Sequence, residues 1–167
     1  MPARPAAAKV PGPTTPGWLP VTTLTLSVLG LAAAAYLTFE HFTSSTTLAC
    51  PETGVVNCAK VTTSSYATVL GIPVAVLGLV FFVAMVALCL PAAWRATSPW
   101  LHRGRIAAVS VGAVSVLYLV WVELFAVNAI CLWCTAVHVV TLCLFAAVTV
   151  GQSMGASPPQ GPARSAG

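Results

Sequence analysis

Four long apolar runs dominate the sequence and determine its fold class. Each holds about 20 residues, which as a helix rising 1.5 Å per residue crosses a hydrocarbon core of roughly 30 Å. The runs are Leu19 to Phe39, Val69 to Leu90, Ile106 to Val127 and Cys131 to Val150. They predict an all-α membrane protein, a four-transmembrane-helix bundle with an extracytoplasmic loop between helices 1 and 2.

The composition agrees with a membrane protein and excludes a nucleic-acid-binding protein. Hydrophobic residues make up 58% of the chain and charged residues 6%, whereas roughly a quarter of the residues in ordinary globular proteins are charged. So few charges can cover a surface that faces lipid but not one that faces water. The net charge of +4 is scattered, and no stripe of Lys and Arg is available for phosphates to follow.

The segments outside the runs divide the chain into three parts. Residues 1–17 are rich in Pro and Ala, residues 151–167 are rich in Gly, Pro and Ser, and both predict disordered cytoplasmic tails. Residues 18–150 form the predicted membrane domain. Pro73 is expected in the first turn of the second helix, where its missing N–H costs little. Small residues suit close helix contact in lipid, and they include Gly71, Gly78, Gly112 and Ala32 to Ala35.

Basic residues predict the orientation in the membrane. Six of the seven Lys and Arg residues fall on one side if four helices cross and both termini are cytoplasmic. These six are Arg4, Lys9, Arg95, Arg103, Arg105 and Arg164, and Lys60 is the exception. A cleaved signal peptide is the alternative for the first run, although its apolar core is longer than the usual 7–15 residues.

Under this topology four of the six cysteines share the extracytoplasmic side. Cys50 and Cys58 lie in the first loop, while Cys131 and Cys134 form a CxxC motif at the start of the fourth helix. Disulfides persist on the oxidising side of a membrane. This topology therefore allows two cysteine pairs on that side, with thiol–disulfide exchange between them. Cys89 and Cys143 are expected to be small buried apolar residues.

The position of the CxxC motif has a chemical consequence. Residues three apart share one face of a helix, so the sulfurs of Cys131 and Cys134 can meet. The helix N-terminus favours a thiolate and should lower the pKa of Cys131, with Cys134 facing the bundle one turn deeper.

Three other readings of the cysteines compete. A non-enzymatic tetraspan protein with structural disulfides is the main alternative. A four-cysteine zinc site fits poorly, because the gap between Cys50 and Cys58 exceeds the usual ligand spacing, so no metal is expected. A carrier that moves electrons outward would need cysteines accessible from both sides, and Cys89 and Cys143 are too far apart to form its inner pair.

Two ionisable residues inside predicted helices are candidates for function. His138 follows Cys134 by four residues on the same helix face, where it could donate a hydrogen bond to a quinone carbonyl or transfer a proton. The alternative is a structural histidine bonded to a neighbouring helix. Glu123 could pair with His138, provide a proton route, or reach water at the interface. Trp121 and Trp133 fit an aromatic belt near the membrane surface.

Together these residues resemble the vitamin K epoxide reductase family, in its bacterial members, over about residues 19 to 150. The resemblance rests on the order and spacing of the cysteines and on several flanking residues. These are Asn57, Ser64, Ser65, Gly71-Ile72-Pro73, Gly78, Tyr118 and Glu123. In the other quinone-reducing disulfide family, the DsbB type, the CxxC motif precedes the spaced pair.

The resemblance implies a membrane enzyme of the bacterial cytoplasmic membrane that supports disulfide formation. Cys50 would meet a reduced extracytoplasmic thioredoxin-fold protein of the DsbA type, Cys58 would pass electrons to Cys131, and Cys134 would face the quinone. The quinone would be menaquinone or ubiquinone. Animal relatives carry a quinone-contacting tyrosine where this chain has His138.

Overall fold

The computed structural model describes residues 16–43, 50, 53–96 and 98–155. The chain is mostly helical, with short non-helical segments near Cys58 and before the second long helix. The α-helices are α1 Trp18–Thr43, α2 Cys58–Thr62, α3 Val74–Cys89, α4 Pro91–Arg95, α5 Pro99–Trp121 and α6 Leu132–Gly155. A 3-10 turn Ser65–Ala67, strands β1 Thr68–Val69 and β2 Ile72–Pro73, and a π-helical turn Val122–Val127 complete the elements.

In the described part of the chain, three helical segments are long and apolar enough to cross a membrane. They are Trp18–Thr43, Pro99–Val127, in which α5 and the π-helical turn are continuous, and Leu132–Met154. The fourth apolar helix, α3, has 16 residues and is therefore about 24 Å long. It is shorter than the 22-residue run suggested, because the run does not begin as a helix.

A β-hairpin occupies the start of the second run, where a helix from Val69 was predicted. Thr68 pairs with Pro73 and Val69 with Ile72, around a turn in which Leu70 and Gly71 have positive φ angles of 52° and 80°. Two such residues match the geometry of a tight hairpin turn. Pro73 is therefore the N-cap of α3 rather than part of its first turn, and Gly71 is a turn residue rather than a helix contact.

Two other helix boundaries differ from the prediction, and both lie at the end of the bundle away from the hairpin. α5 begins at Pro99, seven residues before the predicted start, since proline is well suited to the first helical position. α6 continues to Gly155, so residues 151–155 belong to a helix rather than to a disordered tail. Gly151 packs against Leu19, and the Gln152 amide donates to the His102 carbonyl at 3.2 Å. The remaining predicted tail residues, 1–15 and 156–167, lie outside the described residues.

The bundle is held together by α1, which packs against α3 and α6, and by α5, which packs against α6. Gly30 of α1 lies against the Phe82 ring, and Gly112 of α5 lies where a Cβ would be 2.8 Å from the Phe81 ring. These glycines let rings of α3 approach neighbouring backbones, as small residues do in membrane helix pairs. We call the end of the bundle with α2, the hairpin and the start of α6 the loop end, and the other the opposite end.

Candidate functional site

A disulfide joins Cys50 and Cys58 at the loop end. Their Cα atoms are 6.2 Å apart, and the bond closes a loop with a sequence separation of 8. Cys58 is buried and is the first residue of α2. Asn57 caps this helix, because its side-chain oxygen accepts a hydrogen bond from the Lys60 N–H at 2.8 Å. The cap fixes Cys58 at a defined point of the loop.

Backbone hydrogen bonds seat this loop beside the CxxC motif. Val56 forms a parallel bridge with Ile130. The Asn57 N–H donates to the Ile130 carbonyl at 3.1 Å, and the Ile130 N–H donates to the Val55 carbonyl at 2.9 Å. Cys58 and Cys131 are the residues that directly follow the bonded Asn57 and Ile130. The structure thus brings the two cysteine pairs to one end of the molecule.

Apolar packing supports the same contact. Val61 of α2 packs against a small cluster of buried residues at the junction of the π-helical turn and the CxxC segment: Val122, Val127 and Ala129. The loop is therefore attached to the bundle by side chains as well as by backbone. Its residues 44–49, which include most of the Ser/Thr-rich stretch Thr43 to Thr47 expected to permit movement, lie outside the described residues.

The two CxxC residues carry free thiols and occupy different environments. Cys131 is fully buried just before α6, and the Cys134 backbone N–H donates to its sulfur at 3.3 Å. Hydrogen bonding by the Cys134 thiol, followed by that of the first backbone N–H groups of α6, lowers the pKa of Cys131, although burial acts in the opposite direction. The direction is that expected at a helix N-terminus, but the main cause is the neighbouring thiol.

Trp133, inside the CxxC motif, packs against α1. Its ring centroid lies 4.6 Å from that of Tyr36, with the planes tilted by 46°. The contact gives Trp133 a packing role in addition to any interfacial one, because it ties the first turn of α6 to the neighbouring helix. Trp121, by contrast, is half-exposed, as an aromatic-belt residue would be.

Glu123 reaches the CxxC motif because α5 ends in a π-helical turn. The turn closes with Asn128 in the left-handed region, at φ 51°, and the Ala129 N–H donates to the Glu123 carbonyl at 3.1 Å. The buried carboxylate accepts a hydrogen bond from the Cys131 backbone N–H and lies within hydrogen-bonding reach of the Cys134 thiol. π-helical turns recur at functional sites, where they redirect single side chains.

A partly open cavity of about 630 Å³ lies beside these residues, between the helices and the segment from α2 to the hairpin. Cys134, His138 and Glu123 open onto it, whereas Cys131 does not. Most of its other walls are apolar, and they include Leu37, Val74, Phe81, Phe82, Val116, Leu119, Val122 and Val137. The volume falls within the 300–1,000 Å³ typical of small-molecule sites, and a mostly apolar lining with few polar groups is also typical.

The arrangement of cysteines, carboxylate and cavity agrees with a comparison of the whole chain. Residues 21–149 match the model of the vitamin K epoxide reductase family. The chain belongs to this family. No curated protein matches it. Membership confirms the resemblance noted in the sequence and makes the chain a membrane oxidoreductase.

The walls of this family member's cavity are suited to a quinone. A quinone needs a flat apolar slot with a few hydrogen-bond donors at its carbonyl oxygens. The Phe81 and Phe82 rings and the surrounding aliphatic side chains provide apolar walls. His138, which is 6% exposed, contributes a ring N–H to the cavity. No described residue forms an ion pair with it, so the suggested pairing of His138 with Glu123 is absent among the described residues.

Several cavity residues were missed by the sequence reading. His41, Tyr66 and Ser115 line the cavity. His41 belongs to α1, which extends past the predicted end at Phe39. Tyr66 belongs to the 3-10 turn before the hairpin. His41 and Tyr66 are polar groups close to the end of an apolar run, and Ser115 is a single hydroxyl within one, and neither feature by itself identifies a cavity wall. Ser64, Gly78 and Tyr118, noted in the resemblance, also line the cavity.

Cys89 and Cys143 are remote from the other four cysteines. Cys89 is fully buried at the opposite end, where it shares hydrogen bonds with the hydroxyls of Thr23 and Ser27. Cys143 is exposed on the outer surface of α6, so the expectation that it is buried is wrong. Its position in the fourth apolar run did not reveal which face of the helix it occupies.

Proposed function

We propose that this protein is a membrane thiol–disulfide oxidoreductase that reoxidises an extracytoplasmic thioredoxin-fold protein of the DsbA type and reduces a quinone. Disulfide formation in exported proteins would be the outcome. The main support is the backbone pairing of Val55 to Asn57 with Ile130, which seats the Cys50–Cys58 disulfide beside the CxxC thiols. Cys134, the second cysteine of the CxxC motif, lines the cavity and so connects the two cysteine pairs with it.

The first exchange takes place at the disulfide. A thiolate of the partner attacks Cys50, forms a mixed disulfide and releases Cys58 as a thiolate. The second thiol of the partner then breaks the mixed disulfide, so that the partner leaves oxidised and Cys50 and Cys58 are reduced. The assignment of Cys50 to the partner follows from burial, because Cys58 is enclosed by the loop and is 1% exposed.

The second exchange takes place within the protein. With the CxxC pair oxidised, the Cys58 thiolate attacks Cys131 and breaks the Cys131–Cys134 bond, releasing Cys134. Attack by Cys50 on Cys58 restores the outer disulfide and leaves Cys131 and Cys134 reduced. The lowered pKa of Cys131 makes it a good leaving group in this last step.

The electrons leave through the cavity. A quinone bound there would accept two electrons and two protons from the Cys131–Cys134 dithiol and depart as quinol. Cys134, which lines the cavity, is the sulfur positioned to react. His138 lies one helical turn further along α6 and would donate a hydrogen bond to a carbonyl oxygen of the quinone.

The proposed topology places the loop end outside the cytoplasm. Arg95 and Arg103, both at the opposite end, would then face the cytoplasm together with both termini, as the positive-inside rule requires. α3 would be the fourth span. Its length of about 24 Å would be extended by the hairpin before it and by α4 after it, so that four segments would traverse the membrane.

A purified assay tests the proposed function. The protein is mixed with a reduced thioredoxin-fold partner and with menaquinone or ubiquinone, and quinol formation is followed by absorbance. With vitamin K epoxide as the acceptor, formation of the vitamin K quinone is followed instead. We expect quinone reduction that depends on the partner. A Cys58→Ala variant, mixed instead with the oxidised partner, should accumulate a mixed disulfide, because the Cys50 thiolate attacks the disulfide of the partner and no Cys58 thiol is present to release it.

A different outcome would support the alternative, a non-enzymatic tetraspan membrane protein with structural disulfides. If no quinone is reduced and the Cys50–Cys58 bond resists mild reductant, the disulfide is structural. Labelling with a membrane-impermeant thiol reagent tests the topology separately. Single-cysteine variants that retain Cys50 should be labelled from outside the cytoplasm, and labelling from the cytoplasmic side alone would reverse the orientation.

A further inference from the structure

Glu123 lies between two cavities. It lines the 630 Å³ cavity together with Cys134 and also a second, smaller cavity of about 80 Å³. We call the smaller cavity the niche. It is lined by Val55, Glu123, Leu124, Asn128, Ala129 and Ile130. A volume of this size accommodates a few water molecules, and its walls belong to the loop end.

The hydrogen bonds of Glu123 connect it with the reacting sulfur. Its carboxylate accepts from the Cys131 N–H and is within reach of the Cys134 thiol. Both groups belong to the CxxC motif. A carboxylate that served only to close a helix end would not need contact with a redox thiol. His138 does not connect the two cavities, because it lines the large cavity and not the niche.

We propose that Glu123 carries protons between the Cys134 thiol and extracytoplasmic water, with the niche as the path to water. The inference rests on the function proposed above. When the Cys58 thiolate attacks Cys131, the Cys58–Cys131 bond forms, the Cys131–Cys134 bond breaks and the electron pair passes to Cys134. The Glu123 carboxyl gives its proton to the Cys134 sulfur and regains one from water in the niche.

The same group acts in the opposite direction when the dithiol is oxidised. Glu123 first releases the proton that it regained to water in the niche, and its carboxylate then removes the Cys134 proton, so that this sulfur reacts as a thiolate. That proton passes from Glu123 to the quinone, and Glu123 takes up another from the niche before the next cycle. The second proton comes from Cys131. Two thiol protons and two electrons are thus transferred, and the products are the Cys131–Cys134 disulfide and quinol.

Substitution of Glu123 by Gln gives the principal test, because the amide oxygen can still accept from the Cys131 N–H but cannot exchange a proton. Single-turnover reduction of a quinone by the prereduced protein is measured as a function of pH. We expect the rate of E123Q to fall about 100-fold, within the range usual for loss of an acid–base group. The pH-dependent limb that Glu123 contributes should disappear in E123Q and persist in E123D.

Other titratable groups near Glu123 could contribute to that profile, so they need parallel measurements. On the CxxC segment and α6 they are Cys131, Cys134 and His138, and from the remaining elements they are His41, Tyr66 and Tyr118. Lys60 is included because α2 contacts the π-helical turn that carries Glu123. The H138A and H41A profiles identify the histidine contributions. The matched control is E40Q, because Glu40 is also a buried glutamate of the loop end but lines neither cavity. It should retain the wild-type rate and profile.

The niche has a test of its own. E123A should be rescued by formate, a small acid that fits the niche, but not by chloride at the same concentration. V55F, which places a ring at the mouth of the niche through a residue that is already 62% exposed, should reduce rescue several-fold. Rescue that V55F leaves unchanged would overturn the niche as the path.

The outcomes separate the two proposals. If the wild-type protein reduces no quinone, the proposed function is wrong. If the wild-type protein reduces quinone and E123Q has the same rate and pH profile, the proposed function stands and the proton role is wrong. Melting temperatures and the extent of Cys50–Cys58 disulfide formation show whether E123Q is folded, and E123D provides the comparison if it is not.

Discussion

Buried sulfur with polar neighbours occurs at both ends of the bundle, with different surroundings. At the opposite end Cys89 lies among Thr23 and Ser27, close to the guanidinium of Arg105. At the loop end Cys134 lies beside Cys131 and Glu123. Composition alone would rank these clusters as similar. The difference is that Cys134 opens onto a cavity of about 630 Å³ and Cys89 does not.

The polar groups of the opposite end are occupied within the protein. Arg105 donates to the Leu88 carbonyl from Nε at 3.1 Å and from Nη2 at 2.8 Å, and its Cζ atom lies 3.7 Å from the Trp94 ring centroid. The Trp94 indole N–H donates to the Thr23 hydroxyl at 3.3 Å. The cluster therefore fixes the end of α3. The comparison teaches that a polar cluster in a membrane bundle becomes a candidate site where it faces open space.

The largest expected effect separates the cysteines of the two ends. Cys131→Ala and Cys134→Ala should each lower partner-dependent quinone reduction by about 10³-fold or more, because each removes a sulfur from the exchange path. Cys89→Ala should leave turnover per folded molecule unchanged. The measurement is quinol formation by purified protein, normalised to folded protein. Full turnover in either CxxC variant would contradict the proposed path of thiol–disulfide exchange.

The next effect concerns stability at the opposite end. Arg105→Met removes two charge-assisted hydrogen bonds and a stacking contact, so we expect a loss of about 2–4 kcal/mol in the free energy of unfolding. Turnover per folded molecule should not change. Arg103→Gln is the matched control, because Arg103 is exposed and lies 6.0 Å from the Trp100 ring centroid. Denaturation in detergent measures both variants, and equal stabilities would show that Arg105 is dispensable.

A smaller effect is expected for His138→Ala. Loss of one hydrogen bond to a quinone carbonyl is worth about 1.4 kcal/mol, so kcat/KM for the quinone should fall about tenfold. Formation of the mixed disulfide between Cys50 and the partner should proceed at the wild-type rate. The exposed Cys143, changed to Ser on the same helix, should alter neither step. Unchanged quinone kinetics in His138→Ala would make this residue structural.

The smallest effect is a shift in the ionisation of Cys131. Because the Cys134 thiol is the main cause that lowers the pKa of Cys131, Cys134→Ala should raise it. In the reduced wild-type protein the thiolate therefore persists to lower pH and is lost as the pH falls through the lowered pKa. In the variant it should be lost at higher pH. Ultraviolet absorbance of the thiolate follows the titration, and an unchanged midpoint would assign the lowered pKa to the helix N-terminus alone.

The sequence was sufficient for features that depend on length, order and charge. The apolar runs predicted a helical membrane protein, and the order of the cysteines indicated the family that residues 21–149 match. The hairpin was missed because Val69, Leu70 and Ile72 are as apolar as a helix, and only backbone geometry distinguishes them. The sequence places Arg105 just before the third apolar run as one of the cytoplasmic charges, whereas the side chain is buried, because its partner, the Leu88 carbonyl, is identified only when α3 and α5 meet.

The parts of the candidate site that depend on tertiary contacts could not be predicted. The π-helical turn that directs Glu123 at the CxxC motif depends on the packing of Val122 and Val127 beneath α2. The cavity lies between elements, so no single stretch of sequence describes it. His138 was singled out by its spacing from Cys134, whereas His41 was not, because its relation to the cavity depends on where α1 ends.

The Asn57 cap and the bridge to Ile130 hold Cys58 but not Cys50, and this difference matters when the disulfide between them opens. Neither the Asn57 cap nor the pairing with Ile130 involves Cys50. Opening the disulfide therefore frees one sulfur and leaves the other anchored. Under the proposed function Cys50 would be free to bond with a docked partner while Cys58 stays in position for the next transfer, so the partner would deliver its electrons without disrupting the loop.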